Sequence, residues 1–104
     1  MAGTGVTSVR SYSLYVESVT PAAGAFSALT IPFVDQVDST PFRSMGVIIK
    51  NDNALGGNYI EFSFDGTTVQ GKLKATEDIT FDYKRETKIY LRSPGASGFR
   101  LWCW

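Results

Sequence analysis

Five carboxylates in the second half of the chain, Glu61, Asp65, Glu77, Asp78 and Asp82, are the residues with most to offer a reaction. Two of them facing each other across a scissile bond would make a glycosidase pair, one as general acid and the other as base or nucleophile. Their places in the pattern favour a plainer role, because each falls on a strand exterior or in a turn, where carboxylates are solvated. A Ser–Lys or cysteine-only nucleophile would be the remaining route to covalent catalysis, and no motif supports one. The chain has no histidine. That removes the commonest general base, the commonest metal ligand and any Ser–His or Cys–His pair. Asn51-Asp52-Asn53 has the oxygens of a calcium loop but lacks the D-x-D-x-D-G spacing and the closing glutamate, and reads as a turn. The glycines are dispersed, with no phosphate-cradling pattern between a strand and a helix, so no nucleotide cofactor is implied. The chemistry points away from an enzyme, with no cofactor and no metal, towards a structural or binding module.

Binding has better candidates. Tyr15, Tyr59, Tyr90, Trp102 and Trp104 share the outward phase of their strands. Aromatic side chains on a sheet face stack on sugars, on bases or on a partner protein. The competing reading is that some of them pack against loops at the ends of a sandwich. The tryptophans carry the stronger expectation, since an exposed Trp104 closing the sequence would make an adhesive patch that a neighbouring subunit could cover. Small residues at the N-terminus, Ala2, Gly3, Thr4 and Gly5 among them, read as a flexible arm over residues 1–9, either disordered or ordered by lying on another subunit. Lys84-Arg85-Glu86 with Lys72, Lys74, Lys88 and Arg92 reads as solvated edge charge that discourages misaggregation.

These side chains need strands to hold them, and the hydrophobic period is two almost throughout. Tyr12, Leu14 and Val16 fall on one face, with Ser11, Ser13, Tyr15 and Glu17 on the other. Leu29, Ile31 and Phe33 alternate, but Pro32 makes that run an edge strand or ends it early. Met45, Val47, Ile48 and Ile49 mark a central strand within residues 43–50. Ile60, Phe62 and Phe64 alternate up to Asp65-Gly66, which predicts a type I′ hairpin into residues 67–74, with both central residues at positive φ. Ile79, Phe81 and Tyr83 share one phase, as do Ile89 and Leu91. At the end, Phe99, Leu101 and Cys103 point one way and Arg100, Trp102 and Trp104 the other. About eight short strands with turn signals between them, and no amphipathic helix, predict an all-β sandwich of jelly-roll type over residues 10–104, with a closed barrel as the alternative.

Bulk properties set the limits. A chain of 104 residues is one domain with one thin core. Ten basic and ten acidic residues give zero formal charge, which argues against a nucleic-acid binder, since phosphate neutralisation needs a basic excess. Zero charge also gives little colloidal repulsion, which suits a protein built to assemble. The single cysteine cannot form an internal disulfide. Cys103 reads as a buried small hydrophobe, with a reactive thiol or intermolecular bridge as the alternative. The N-terminus has no apolar h-region and no apolar run approaches about 18 residues. The expectation is a protein made in the cytoplasm that stays there or leaves by lysis or within a particle, without a membrane partner.

Ile60-Glu-Phe-Ser-Phe-Asp-Gly66, Val69-Gln-Gly-Lys-Leu73, Ile79-Thr-Phe-Asp82, Lys88-Ile-Tyr-Leu-Arg92 and Phe99-Arg-Leu-Trp-Cys-Trp104 together resemble small β-sandwich virion proteins of tailed bacteriophages. The resemblance spans about residues 58–104 and consists of an F-D-G hairpin, alternating strands and an aromatic last strand. It implies a virion structural protein without enzymatic activity, foremost a capsid decoration (cement) protein. The partner would then be the major capsid protein or another virion protein, and the chain a homo-oligomer, with a trimer favoured. Other expectations are a tail, neck or baseplate component and, from a different class, a carbohydrate-binding module using the exposed aromatics.

Overall fold

The computed structural model describes residues 13–22 and 24–104. Eight strands follow in chain order: β1 (Leu14–Val19), β2 (Thr30–Pro32), β3 (Val47–Asn51), β4 (Ile60–Ser63), β5 (Gly71–Leu73), β6 (Asp78–Phe81), β7 (Lys88–Arg92) and β8 (Gly98–Cys103). They form two four-stranded antiparallel sheets, sheet A in the order β1-β8-β3-β6 and sheet B in the order β2-β7-β4-β5. First pairs with last, second with seventh, third with sixth and fourth with fifth. The chain is therefore one long antiparallel hairpin rolled up, closed by the β3–β8 and β4–β7 contacts. That is jelly-roll topology, and the expected all-β sandwich is realised.

Alternation explains why the rolled hairpin is stable. Val47, Ile49, Phe99, Leu101 and Cys103 from sheet A meet Ile31, Ile60, Phe62, Leu73, Ile89 and Leu91 from sheet B, all buried. Phe62, Phe64 and Phe81 form a triangle of edge-to-face rings with centroids 5.7–6.0 Å apart. Phe81 belongs to sheet A and Phe62 to sheet B, so this cluster ties the sheets together. Pro32 lies on β2, an edge strand that ends there, as its missing N–H requires.

Buried polar groups are paired. Asn51 is fully buried, and its amide donates to the carbonyls of Asn58 (2.9 Å) and Leu73 (3.0 Å) while its oxygen accepts from the Asn53 N–H (2.9 Å). This side chain fastens the end of β3 to β5 and to the turn before β4. Ser44 donates to the Lys84 carbonyl and accepts from the Glu86 N–H.

Four local expectations differ from the structure. The run 26–33 that carries the Leu29, Ile31 and Phe33 alternation is no continuous strand, because Phe26–Ala28 turns as a 3₁₀ helix before β2 begins. The central strand starts at Val47, leaving Met45 outside it and exposed. Tyr83 falls beyond the end of β6 and is 87 % exposed, so it does not share the inward phase of Phe81. Finally, Asp65 does not adopt positive φ; only Gly66 does, at 87°. The β4–β5 connection is a seven-residue loop, 64–70, in place of a two-residue I′ turn. The Asp65 carboxylate accepts from the Thr67 and Thr68 amides, both at 2.8 Å, and organises the loop. Bonds from Thr68 first, then Thr67 and Ser63, hold its pKa well below the usual carboxylate range.

Cys103 lies fully buried on the inner face of β8. Burial pushes its pKa from 9.0 to about 12. The native thiol should therefore not react with a disulfide reagent at pH 8, and labelling should follow unfolding. Because the folded value is raised, the unfolded chain loses its proton first as pH rises. Stability contributed by the neutral thiol is present below about pH 9 and is lost between about 9 and about 12. Urea midpoints across that range should fall more steeply for the native sequence than for Cys103→Ala; equal slopes would contradict this.

Candidate assembly surface

The residues that project outward from sheet A form transverse rows set by strand register. Tyr15, Trp102, Ile48 and Thr80 lie side by side across β1, β8, β3 and β6. Glu17, Arg100, Lys50 and Asp78 form the next row. On the other side of the aromatic row, the Trp104 N–H donates to the Gly46 carbonyl (3.2 Å) and the Gly46 N–H to the Trp104 carbonyl (3.1 Å), which extends the ladder past β8. Trp102 and Trp104 are two residues apart on one strand, so both point to the same face about 7 Å apart.

Each ring is held. The Trp102 and Tyr15 centroids are 5.4 Å apart at 46°, and the Arg100 guanidinium sits 5.4 Å from the Trp102 ring. The Trp104 ring lies directly over Gly46: a Cβ there would come within 2.1 Å of Cζ2 and 2.4 Å of Cε2. Glycine is required at this position because the indole occupies the space a side chain would take.

Several neighbouring polar side chains are held within the chain. Arg100 makes two bonds to Asp52, at 2.8 and 2.9 Å, which raise its pKa. The Tyr15 hydroxyl donates to Glu17 at 2.9 Å, which raises the phenol pKa. Lys50 donates to the Thr76 carbonyl at 3.0 Å. Two shallow hollows flank the aromatic stripe. One, of about 510 Å³, is lined by Met45, Asp82, Tyr83 and Trp104. The other, of about 350 Å³, is lined by Ile48, Lys50, Asp78, Thr80 and Trp102. An apolar centre within a polar margin is the anatomy of a protein–protein contact, with the Asp78 and Asp82 carboxylates of these hollows at its rim.

The other sequence candidates are placed elsewhere. Tyr90 is on β7 in sheet B, on the opposite side of the sandwich from Trp102, so the structure does not bring it to the tryptophans. Its ring packs under the 64–70 loop, 3.0 Å from where a Gly66 Cβ would be. Tyr59 also lies on the sheet B side, beneath Lys72, whose Nζ is 4.5 Å from its centroid. Strand phase gives in or out but does not say which sheet a strand joins, and that is why the five aromatics do not form one surface. Ala2, Gly3, Thr4 and Gly5, with the rest of the arm, lie outside the described residues.

The basic residues do not converge either. Lys84 pairs with Glu86 at 3.3 Å, Arg92 with Glu61 at 2.8 Å, and Lys88 sits 5.6 Å from the Tyr90 ring. Nor do the carboxylates. Glu61 is on the outer face of sheet B, Asp78 on that of sheet A, and the Glu77 carboxylate accepts from the Lys74 N–H at 2.7 Å. Met45, Gly46, Ile48 and Thr80 belong to the aromatic face, whereas the sequence pattern points to Met45 and Ile48 only as members of a central strand and gives no sign of Gly46 or Thr80. Ile48 carried a signal: an apolar residue between the buried Val47 and Ile49 makes that strand apolar on both faces, which implies a covered outer face.

No protein-family model matches the sequence, and no curated protein matches it. The resemblance to virion proteins therefore rests on the residues quoted for it.

Proposed function

We propose that this protein is a structural subunit of a tailed-bacteriophage particle, a decoration protein that seats on the capsid shell through the outer face of sheet A. The observation that carries the reading is the stripe of Tyr15, Trp102 and Trp104, placed on one face by β1 and β8 and bordered by the Arg100–Asp52 ion pair and the Tyr15–Glu17 hydrogen bond. Rigid aromatics inside a polar rim are what a protein–protein contact concentrates at its centre. Each buried aromatic removes roughly 150–250 Å² from water. A module bridging neighbouring capsid subunits stabilises the shell by binding only its assembled state. The zero formal charge fits a partner met through apolar area rather than phosphate. In this reading the chain acts as a homotrimer, is located in the virion and performs no chemistry.

Quantitative mass spectrometry of purified parent particles tests this directly. A copy number near that of the major capsid protein is expected. A handful to a few tens of copies per particle would move the protein to the tail, neck or baseplate. Absence from the particle would end the virion reading.

A further inference from the structure

We propose that a cleft on the outer face of sheet B, between the start of β4 and the β7–β8 turn, binds a neutral saccharide by hydrogen bonds from a pyranose diol to the Glu61–Arg92 pair. The site is on the opposite face from the tryptophans and stands apart from the docking reading above. The cleft encloses about 260 Å³, with Tyr59 and Pro94 as walls and Glu61 and Arg92 between them.

Its walls are fixed from beneath. Ser93 is buried; its Oγ donates to the Tyr59 carbonyl at 2.7 Å and shares a 2.8 Å bond with the Ser97 hydroxyl. That tie holds the β7–β8 turn, and Pro94 with it, against the start of β4. Lys72 holds the Tyr59 ring by a contact 4.5 Å from its centroid.

The polar pair is aligned in advance. Arg92 Nε donates to Glu61 Oε1 at 2.8 Å, and the guanidinium rests 4.1 Å from the Phe26 ring centroid, so its plane is set. Among the described residues, the terminal nitrogens of Arg92 and Oε2 of Glu61 make no hydrogen bond. The cleft thus offers donors and an acceptor side by side in a fixed geometry. The Glu61–Arg92 pair is neutral as a unit, so an anion gains little from it, and the nearby cation, Lys72, lies over the Tyr59 ring. A vicinal diol both donates and accepts at each hydroxyl. One hydroxyl can donate to Glu61 Oε2 while accepting from Arg92, its neighbour can take the second Arg92 nitrogen, and the sugar's C–H face can lie against Tyr59 or Pro94. A single pyranose held this way binds with a Kd on the order of 1 mM.

The test is a ¹H–¹⁵N NMR titration of the whole chain with the methyl glycosides of glucose, galactose, mannose and N-acetylglucosamine, and with inorganic phosphate as the anionic probe. At least one glycoside should move the signals of Tyr59, Glu61, Arg92 and Ser93 saturably, while phosphate should not. Arg92→Lys keeps the charge but loses the planar fork, and Glu61→Gln keeps the shape but loses the charge. Each should weaken the saccharide by about tenfold or more with the remaining spectrum unchanged. The proposal is overturned if no glycoside shifts these signals, if phosphate alone does, if the shifts fall instead on the Trp102 and Trp104 indoles, or if both variants bind as tightly as the native chain. Particle copy number reads the other face, so the two readings fail separately.

Discussion

Replacing Phe62 by Ala should destabilise the protein by about 3–5 kcal/mol, a large part of the roughly 5–15 kcal/mol that holds a domain of this size together. The thermal midpoint would fall by on the order of 20 °C. Phe62 is 1 % exposed, and its ring meets Phe64 and Phe81 edge to face, so truncation removes transfer energy, opens a cavity and breaks the cluster linking the sheets. The same ring covers Gly71, its partner across β4 and β5; a Cβ there would come within 2.5 Å of Cζ. Gly71→Ala should therefore cost about 1–3 kcal/mol by overpacking, although it adds only a methyl group. Phe62→Leu lacks the ring atoms that would collide. The double variant Phe62→Leu with Gly71→Ala should then lose less than the sum of the single losses, with a coupling of about 0.5–3 kcal/mol. Urea titrations of the four proteins measure it, and simple additivity would mean that the ring does not occupy the glycine's space.

The Phe62–Gly71 pair also shows what the sequence could and could not reveal. Alternation at Ile60, Phe62 and Phe64 exposes the inward phase of β4, and all three are buried. Burying one face of a pleated strand demands period two, so the phase of a strand is written locally. Its partner is not. That Gly71 stands opposite Phe62, or Gly46 beneath Trp104, depends on how the hairpin rolls, and neither glycine differs locally from those in turns. Asp65-Gly66 misled for a related reason. Asp65 caps a wider loop through its carboxylate, a use of Asx-turn geometry that a two-residue template does not contain. The aromatic candidates divided in the same way. Tyr15 and Trp102 converge because β1 and β8 pair, whereas Tyr90, in the same outward phase, was carried by β7 to the other sheet.

That division supplies the control for the docking reading. Trp104→Ala should reduce occupancy on the particle by a loss of about 2–4 kcal/mol, some 30- to 1,000-fold in Kd, as expected of a buried aromatic at an interface centre. Gly46→Ala should approach that loss while keeping the indole. Its backbone is not in the left-handed region, so alanine is not strained there. The added Cβ, however, would sit 2.1 Å from Trp104 Cζ2, and the ring must leave its seat. If Trp104 served only the fold, Gly46→Ala and Trp104→Ala would lower the thermal midpoint and leave binding by the remaining folded protein intact. If the seated ring forms the contact, occupancy falls in both variants at temperatures where circular dichroism shows them folded. Tyr90→Ala, in the opposite sheet, should lose some stability from the 64–70 loop that covers it and retain native occupancy. Native occupancy in both Trp104 and Gly46 variants would remove the end of β8 from the interface. A loss in Tyr90→Ala alone would move the docking surface to sheet B.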